Sequence, residues 1–297
     1  MAQATRLDDL DISIGKKTRL HRLLYEFGPG KGKAMFLPID HGLEHGPADF
    51  FTNPEAADPE YQLKLAARGG YSGIVFHVGL AEKYMRRYVG RIPLVLKING
   101  KTNVPPDDEA LSPLDASVEE AVRLGADAIG YTLYVGSPAQ DRDFVQFAGV
   151  RRDAERLGMP IIMWSYPRGS AIDKKGGRDG LYAIDYAARV ACEVGADMVK
   201  LNEPVVDNPK AGDQPKPYNT LKASEEEGLR RVVKSAGRTL VLFSGGSKLG
   251  DADLLRKVEL CMKAGATGII AGRNMWQRPM KEALALTDEI RGIIKKA

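Results

Sequence analysis

Eight short apolar runs punctuate the chain, and stretches of helical periodicity separate them. The runs are Ala34–Pro38, Gly73–His77, Pro93–Lys97, Asp127–Tyr131, Pro160–Trp164, Ala196–Lys200, Thr239–Phe243 and Thr267–Ala271. Most are continuously apolar rather than alternating, as expected of parallel strands covered on both faces. Between them, residues 141–157 and 182–193 carry amphipathic helical patterns, and Ser117-Val118-Glu119-Glu120 opens another helix with a capping box. A weak repeat reinforces the alternation. Leu124-Gly125-Ala126-Asp127, Val194-Gly195-Ala196-Asp197 and Ala264-Gly265-Ala266-Thr267 recur 70 residues apart, each just before a strand, where glycine ends the preceding helix.

Eight strand–helix units in 297 residues predict an α/β protein of the (β/α)8 TIM-barrel class with one catalytic domain over residues 31–297. The runner-up is an open doubly wound sheet, but no G-x-G-x-x-G follows the first strand. Residues 1–30 read as an N-terminal arm and short helix: a loose polar stretch to residue 17, a helix over Thr18–Tyr25, and a break at Gly28-Pro29-Gly30-Lys31-Gly32. The long loops 101–114 and 203–217 read as active-site loops or subunit contacts.

Composition narrows the partners. An apolar fraction of 43% and a charged fraction of 28% suit a soluble globular protein. The net charge of +4 is small and dispersed, so neither nucleic acid nor a membrane is indicated. Cys192 and Cys261 lie in helical patterns with no CxxC or metal-ligand spacing. They read as buried structural thiols in a reducing cytoplasm. The first residues lack the apolar core of a signal peptide, and no run is long enough to span a membrane.

In a barrel, chemistry gathers where the strands end. The sixth run ends on Lys200, a charge at the end of a core strand that must be paired, partly neutral or covalently used. The first is followed by Asp40-His41-Gly42-Leu43-Glu44-His45-Gly46. Asp40 is expected in the barrel mouth, with His41 or His45 touching an anionic substrate. A rival reading makes His41, His45 and His77, with Glu44, a metal site. On the fifth, strand alternation puts Trp164, Tyr166 and Arg168 on one face: an apolar wall, a phenol able to move protons, and a phosphate fork. Lys97 closes the third run as a second interior lysine or a solvated one. Tyr131 and Tyr134 follow the fourth, for packing first and substrate contact second. The last two runs lead into Ser244-Gly245-Gly246-Ser247 and Gly272-Arg273, a pair of glycine turns where barrels hold phosphate.

A lysine amine condenses with a ketone to an iminium, an electron sink for breaking the adjacent C–C bond. A phenol and a carboxylate supply proton transfers, and no metal or other cofactor is required. The residues alone therefore point to a phosphosugar enzyme acting through a Schiff base, with a non-catalytic sugar-phosphate-binding barrel as the bland alternative.

The motifs IDHGLEHGP (39–47), RIPLVLKING (91–100), IMWSYPRG (162–169), GADMVKLN (195–202), FSGGSK (243–248) and AGRNMWQRP (271–279) occur in order along the chain. In this it resembles the archaeal-type class I fructose-1,6-bisphosphate aldolases of the DeoC/FbaB-like aldolase family. The resemblance implies a metal-independent carbon–carbon lyase that cleaves fructose 1,6-bisphosphate reversibly to dihydroxyacetone phosphate and glyceraldehyde 3-phosphate in glycolysis and gluconeogenesis. It implies Lys200 as the Schiff-base residue, Tyr166 as proton donor and acceptor, Asp40 as a catalytic carboxylate and Trp164 as a pocket wall. Ser244, Gly245, Gly246, Gly272 and Arg273 would hold one phosphate, and Arg168 and His45 the other end of the substrate. It also implies a cytoplasmic homo-oligomer, an octamer or decamer. Relatives sharing the lysine and the YPRG motif act on other phosphorylated sugars: an amino-dideoxy-heptulosonate synthase and the enzyme processing phosphorylated autoinducer-2. Trp164 and the Glu44-His45 pair follow the bisphosphate pattern.

Overall fold

All eight runs are strands, and they close on themselves. The computed structural model describes residues 5–246 and 249–297; Ser247 and Lys248 of the seventh strand-end motif lie outside the described residues. The strands are β1 (Ala34–Pro38), β2 (Gly73–His77), β3 (Leu94–Lys97), β4 (Ala128–Val135), β5 (Ile161–Pro167), β6 (Met198–Leu201), β7 (Leu240–Ser244) and β8 (Gly268–Ile270). Each pairs in parallel with its sequence neighbour and β8 pairs with β1, giving the closed (β/α)8 barrel. β4 and β5 run past the expected ends at Tyr131 and Trp164. Their pairing continues to Val135↔Pro167, which carries the side chains of both strands up into the mouth.

Alternation sorts the strand residues into two cores. One set faces outward against helices such as Leu181–Val194 and Met280–Lys296. The other fills the lumen: Phe36, Val75, Val95, Ala128, Ile162, Trp164, Met198, Leu240, Leu242 and Ile270. The glycines of the 70-residue repeat close their helices in left-handed conformations, with φ of 69°, 94° and 98° at Gly125, Gly195 and Gly265. The fourth residue of each repeat unit works at the base of the barrel. Asp197 Oδ2 accepts from Ile161 N at 2.8 Å, and Thr267 Oγ1 accepts from Val241 N at 3.2 Å.

The described part of the N-terminal arm is not loose. A helix starts earlier than expected, at Ile14, runs to His21, and continues in a wider turn over Arg22–Glu26. Leu7, Leu20, Leu23 and Leu24 pack with the lumen residues and stopper the barrel floor. Buried Lys16 lies 2.8 Å from Glu155 and 3.1 Å from buried Asp197, while Arg22 Nε donates to Asp127 Oδ1 at 2.7 Å. The repeat's two aspartates thus receive the arm's cations. Removing one partner of a buried pair strands the other, at about 3 kcal/mol. Lys16→Met is expected to lose about that much unfolding free energy, read from denaturant midpoints at unchanged slope. The thiols differ from expectation in one respect: Cys261 is buried, but Cys192 is only half-buried.

Candidate active site

Period-two alternation continues beyond the lumen core into the mouth. Above Trp164 comes Tyr166, above Lys200 comes Asn202, above Leu242 comes Ser244, and above Ile270 comes Gly272. Together with Asp40, Glu44, Tyr134, Arg168 and Arg273 they line a cavity of about 670 Å³. His41 and His45 line it too, so the turn after β1 delivers both of its histidines to one site.

Lys200 lies at the bottom, 8% exposed, in register with Trp164 on β5 and Leu242 on β7. Its Nζ donates to the Tyr166 hydroxyl and lies 5.6 Å from the centroid of the buried Trp164 ring. Burial lowers the Lys200 pKa to about 8. The carboxylates of Asp40 and Glu44 oppose the drop, and Arg273 and Arg168 add to it. A substantial neutral fraction therefore exists near neutrality, the form that attacks a carbonyl. Tyr166 is pushed well above the ordinary phenol range by burial and then by the Glu44 and Asp40 charges. It is protonated at rest.

Asp40 is 3% exposed. Burial pushes its carboxyl up, but His41, Lys97, Lys200 and His77 together outweigh this and hold it at about 2. It is a carboxylate, and its Oδ2 is buried with no hydrogen-bond partner, so an acceptor stands unused beside Lys200. His41 Nδ1 lies 3.5 Å from Asp40 Oδ1, and its ring meets Trp276 edge-on at 5.4 Å between centroids. Burial depresses the His41 pKa to about 4, so this ring is neutral.

The two glycine turns meet beside these groups. Gly245 N donates to Ile270 O at 3.1 Å, and the Ser244 hydroxyl donates to Asn202 Oδ1 at 2.9 Å. Two of the five residues expected to hold a phosphate thus have these donors already engaged. Gly246 is left-handed at φ 63° and faces open space. Gly272 is glycine for want of room: a Cβ there would stand 2.6 Å from His41 Cε1 and 2.9 Å from Pro38 O. Arg273 lines the cavity with its Nε buried and unpartnered, a donor held ready for an anion. On the far rim, Arg168 stacks over Tyr166 with Cζ 5.3 Å from the ring centroid. It pairs with Asp107 at 3.2 Å, which also holds Lys101 at 2.8 Å.

The histidines do not form the rival metal site. His45 Nδ1 is bound to Asp49 Oδ2 at 2.8 Å, and His77 Nδ1 lies 2.7 Å from Asp115 Oδ2. Among the described residues no group of three or more His, Cys, Asp or Glu side chains could hold a metal ion. Several lining residues went unassigned in the sequence: Asn202, Lys101, Asn103, Arg178 and Asp179. Asn202 was within reach of strand alternation, two positions beyond Lys200. The others sit on irregular loops that carry no period. Lys97 is not solvated but fully buried, and Tyr131 donates to Asp143 Oδ1 at 2.7 Å in the outer core, leaving Tyr134 as the tyrosine of β4 that lines the cavity.

The chain is similar to known proteins over most of its length. The DeoC/LacD family aldolase profile matches residues 34–278. The class 1 fructose-bisphosphate aldolase of Thermoproteus tenax is 43% identical over 265 residues, covering 88% of this chain and 91% of that one. A Methanocaldococcus jannaschii protein named fructose-bisphosphate aldolase/6-deoxy-5-ketofructose 1-phosphate synthase is 32% identical over 294 residues, covering 96% and 88%. An archaeal fructose-1,6-bisphosphate aldolase, solved with its catalytic lysine covalently bound to the carbinolamine intermediate of the substrate, superimposes with a TM-score of 0.79. It is 39% identical and covers 94% of this chain and 98% of its own. A family profile spanning the barrel from β1 past β8, at this level of identity, makes the chain a member of the DeoC/LacD family of aldolases.

Proposed function

We propose that the protein is a class I aldolase that cleaves fructose 1,6-bisphosphate reversibly, with Lys200 as the Schiff-base residue, Tyr166 as the proton-transfer residue and Asp40 as the assisting carboxylate. The observation that carries this reading is a partly neutral lysine in hydrogen-bond contact with a protonated phenol, at the bottom of a cavity with cations on two sides. The neutral amine adds to the ketone carbon to give a carbinolamine. Asp40, ionised and with a free acceptor atom, passes protons as water leaves and the iminium forms. Tyr166 releases its proton to solvent water under the pull of the iminium charge, and the phenolate takes the hydroxyl proton two carbons away as the C3–C4 bond breaks. The bond's electron pair moves to C3 and the iminium, giving an enamine and glyceraldehyde 3-phosphate. Protonation at C3 and hydrolysis then free dihydroxyacetone phosphate and the amine.

Two cationic groups support a bisphosphate over a monophosphate. Arg273, beside Gly246 and Gly272, would take the phosphate nearer the ketone; Ser244 and Gly245 shape that turn. Arg168 and Lys101 on the opposite rim, with His45, would take the second. His41 lines the cavity, and Trp164, buried in the lumen core beside Lys200, would close the pocket from below. The name of the M. jannaschii relative leaves one rival, a Schiff-base reaction on another phosphorylated sugar. A comparison of kcat/KM for fructose 1,6-bisphosphate, fructose 1-phosphate and other phosphoketoses separates the two. The bisphosphate is expected to lead, and a monophosphate leading it would reverse the assignment. Arg273→Met is expected to raise KM for every 1-phosphorylated ketose by about 10- to 100-fold, the loss of a charge-assisted contact of about 1.5–3 kcal/mol.

The barrel over residues 31–297 would be the catalytic domain and 1–30 its N-terminal arm, of which Leu7, Leu20, Leu23 and Leu24 close the base. A cytoplasmic homo-oligomer, an octamer or decamer, completes the reading, supported by the sequence resemblance. No helix of the described residues is long and apolar enough to cross a membrane. Light scattering of the purified protein measures the assembly.

A further inference from the structure

The reaction as written leaves one buried charge beside the site unemployed. Lys97, at the end of β3, is 0% exposed and does not line the cavity. Its ammonium donates to Glu44 Oε1 at 3.0 Å and Asn99 O at 2.9 Å. It lies 5.3 Å from the centroid of the Trp164 ring, the same ring that Lys200 approaches at 5.6 Å. Space for it comes from Gly130, its register partner on β4. A Cβ at Gly130 would lie 2.9 Å from both Lys97 Cδ and Trp164 Cζ3. The barrel therefore gives up a side chain on β4 to keep a charged one on β3, where an apolar residue would cost less.

Glu44 explains why. It ends the single helical turn His41–Glu44 that follows Asp40, and its carboxylate lines the cavity. Taking Lys200 and Tyr166 in the roles assigned above, we infer that Lys97 and Glu44 are a positioning pair. Lys97 anchors the turn carrying Asp40, His41 and His45 to the barrel wall through Glu44, and cancels the Glu44 charge beside Lys200. Neither residue bonds to substrate in this role.

Lys200 is faced by Asp40, His41 and Glu44 from the turn after β1, by Tyr166 and Arg168 from β5, and by Arg273 from the end of β8. Glu44 pulls the pKa of Lys200 and of Tyr166 upward, and Lys97 pulls those of Tyr166 and Asp40 downward. The single removals should therefore act in opposite senses. Lys97→Met leaves a bare carboxylate, Lys200 holds its proton to higher pH, and the rising limb of kcat/KM moves up from about 8. Glu44→Gln leaves a bare ammonium, and the limb moves down. A displacement of about one unit each way is expected for an uncompensated charge at this range.

The test is a double-mutant cycle on kcat with pH profiles for each protein. Each single variant is expected to lose about 10- to 100-fold in kcat at neutral pH, with KM within about threefold. The pair Lys97→Met/Glu44→Gln is expected to lose no more than the worse single, because both charges are gone together. Multiplicative losses, or limbs moving in the same direction, would overturn the pairing; a loosened barrel alone predicts no opposite pH shifts. If Lys97→Met does not fold, Glu44→Gln decides by itself, and an unmoved limb sinks the inference. Borohydride trapping of the wild type tests the Lys200 assignment separately, so the two can fail independently.

Discussion

Lys200→Ala is expected to abolish covalent trapping by borohydride in the presence of substrate and to lower kcat/KM by about 10⁴-fold or more. The size follows from what the side chain supplies. The bond that breaks lies next to the carbonyl carbon, and without an iminium its electron pair has no sink other than a neutral carbonyl. Among the described residues no neighbour can take the place of the amine. Lys97 is held by Glu44 and Asn99 below the cavity lining, and Lys101 is tied to Asp107 on the rim. Arginines do not lose their proton. The pH dependence gives the same result a second handle. The amine must be neutral to attack, its pKa is lowered to about 8, and activity should rise through that region. A tryptic map of the reduced adduct locates the label. Label on any other lysine, or full activity in Lys200→Ala, would refute the mechanism.

Tyr166→Phe should lower kcat by about 10²- to 10⁴-fold, the range for loss of a positioned acid/base, while trapping at Lys200 persists. The hydroxyl contacts Lys200 Nζ, so it stands where the iminium charge will form. Its raised pKa makes it a strong base once deprotonated and a reluctant one before. The iminium formed on Lys200 supplies the missing inducement: a fixed positive charge beside the phenol lowers its pKa when proton removal is needed. The variant should therefore form the adduct and stall before cleavage, visible as a trapped hexose rather than a trapped triose by intact mass. Loss of trapping together with cleavage would instead make Tyr166 a partner in Schiff-base formation.

The strands were legible because a parallel barrel buries both faces, and eight continuous apolar runs leave little choice. Their mouth residues were legible from the strand ends: alternation puts Trp164, Tyr166 and Arg168 on one face, and Lys200 stands out as a charge closing a core strand. The N-terminal segment was misread for a specific reason. Its hydropathy is inverted: Ile14 is 86% exposed, while Lys16 is buried against Asp197. A pattern that equates polar with outside cannot find such a helix. The Lys97–Glu44 contact was hidden because its partners are 53 residues apart and meet only when β1 and β3 are brought round the same lumen. The engagement of Ser244 and Gly245 by Asn202 and Ile270 depended likewise on register, which composition does not carry.

The stoppered floor has a consequence for traffic. Among the described residues the lumen below Lys200 is filled by Met198, Ile162, Leu240 and Phe36, and beneath them by Leu7, Leu20, Leu23 and Leu24, all buried. Water and sugar must share the mouth. The water expelled as the iminium forms leaves past the bound substrate, and the water that hydrolyses the second half-reaction comes in by the same opening. In the cleavage direction the aldehyde product occupies that opening, so it must depart before the ketose half can be released. The covalent enamine already makes the aldehyde the first product set free, and the one-door chamber makes it the first that must leave.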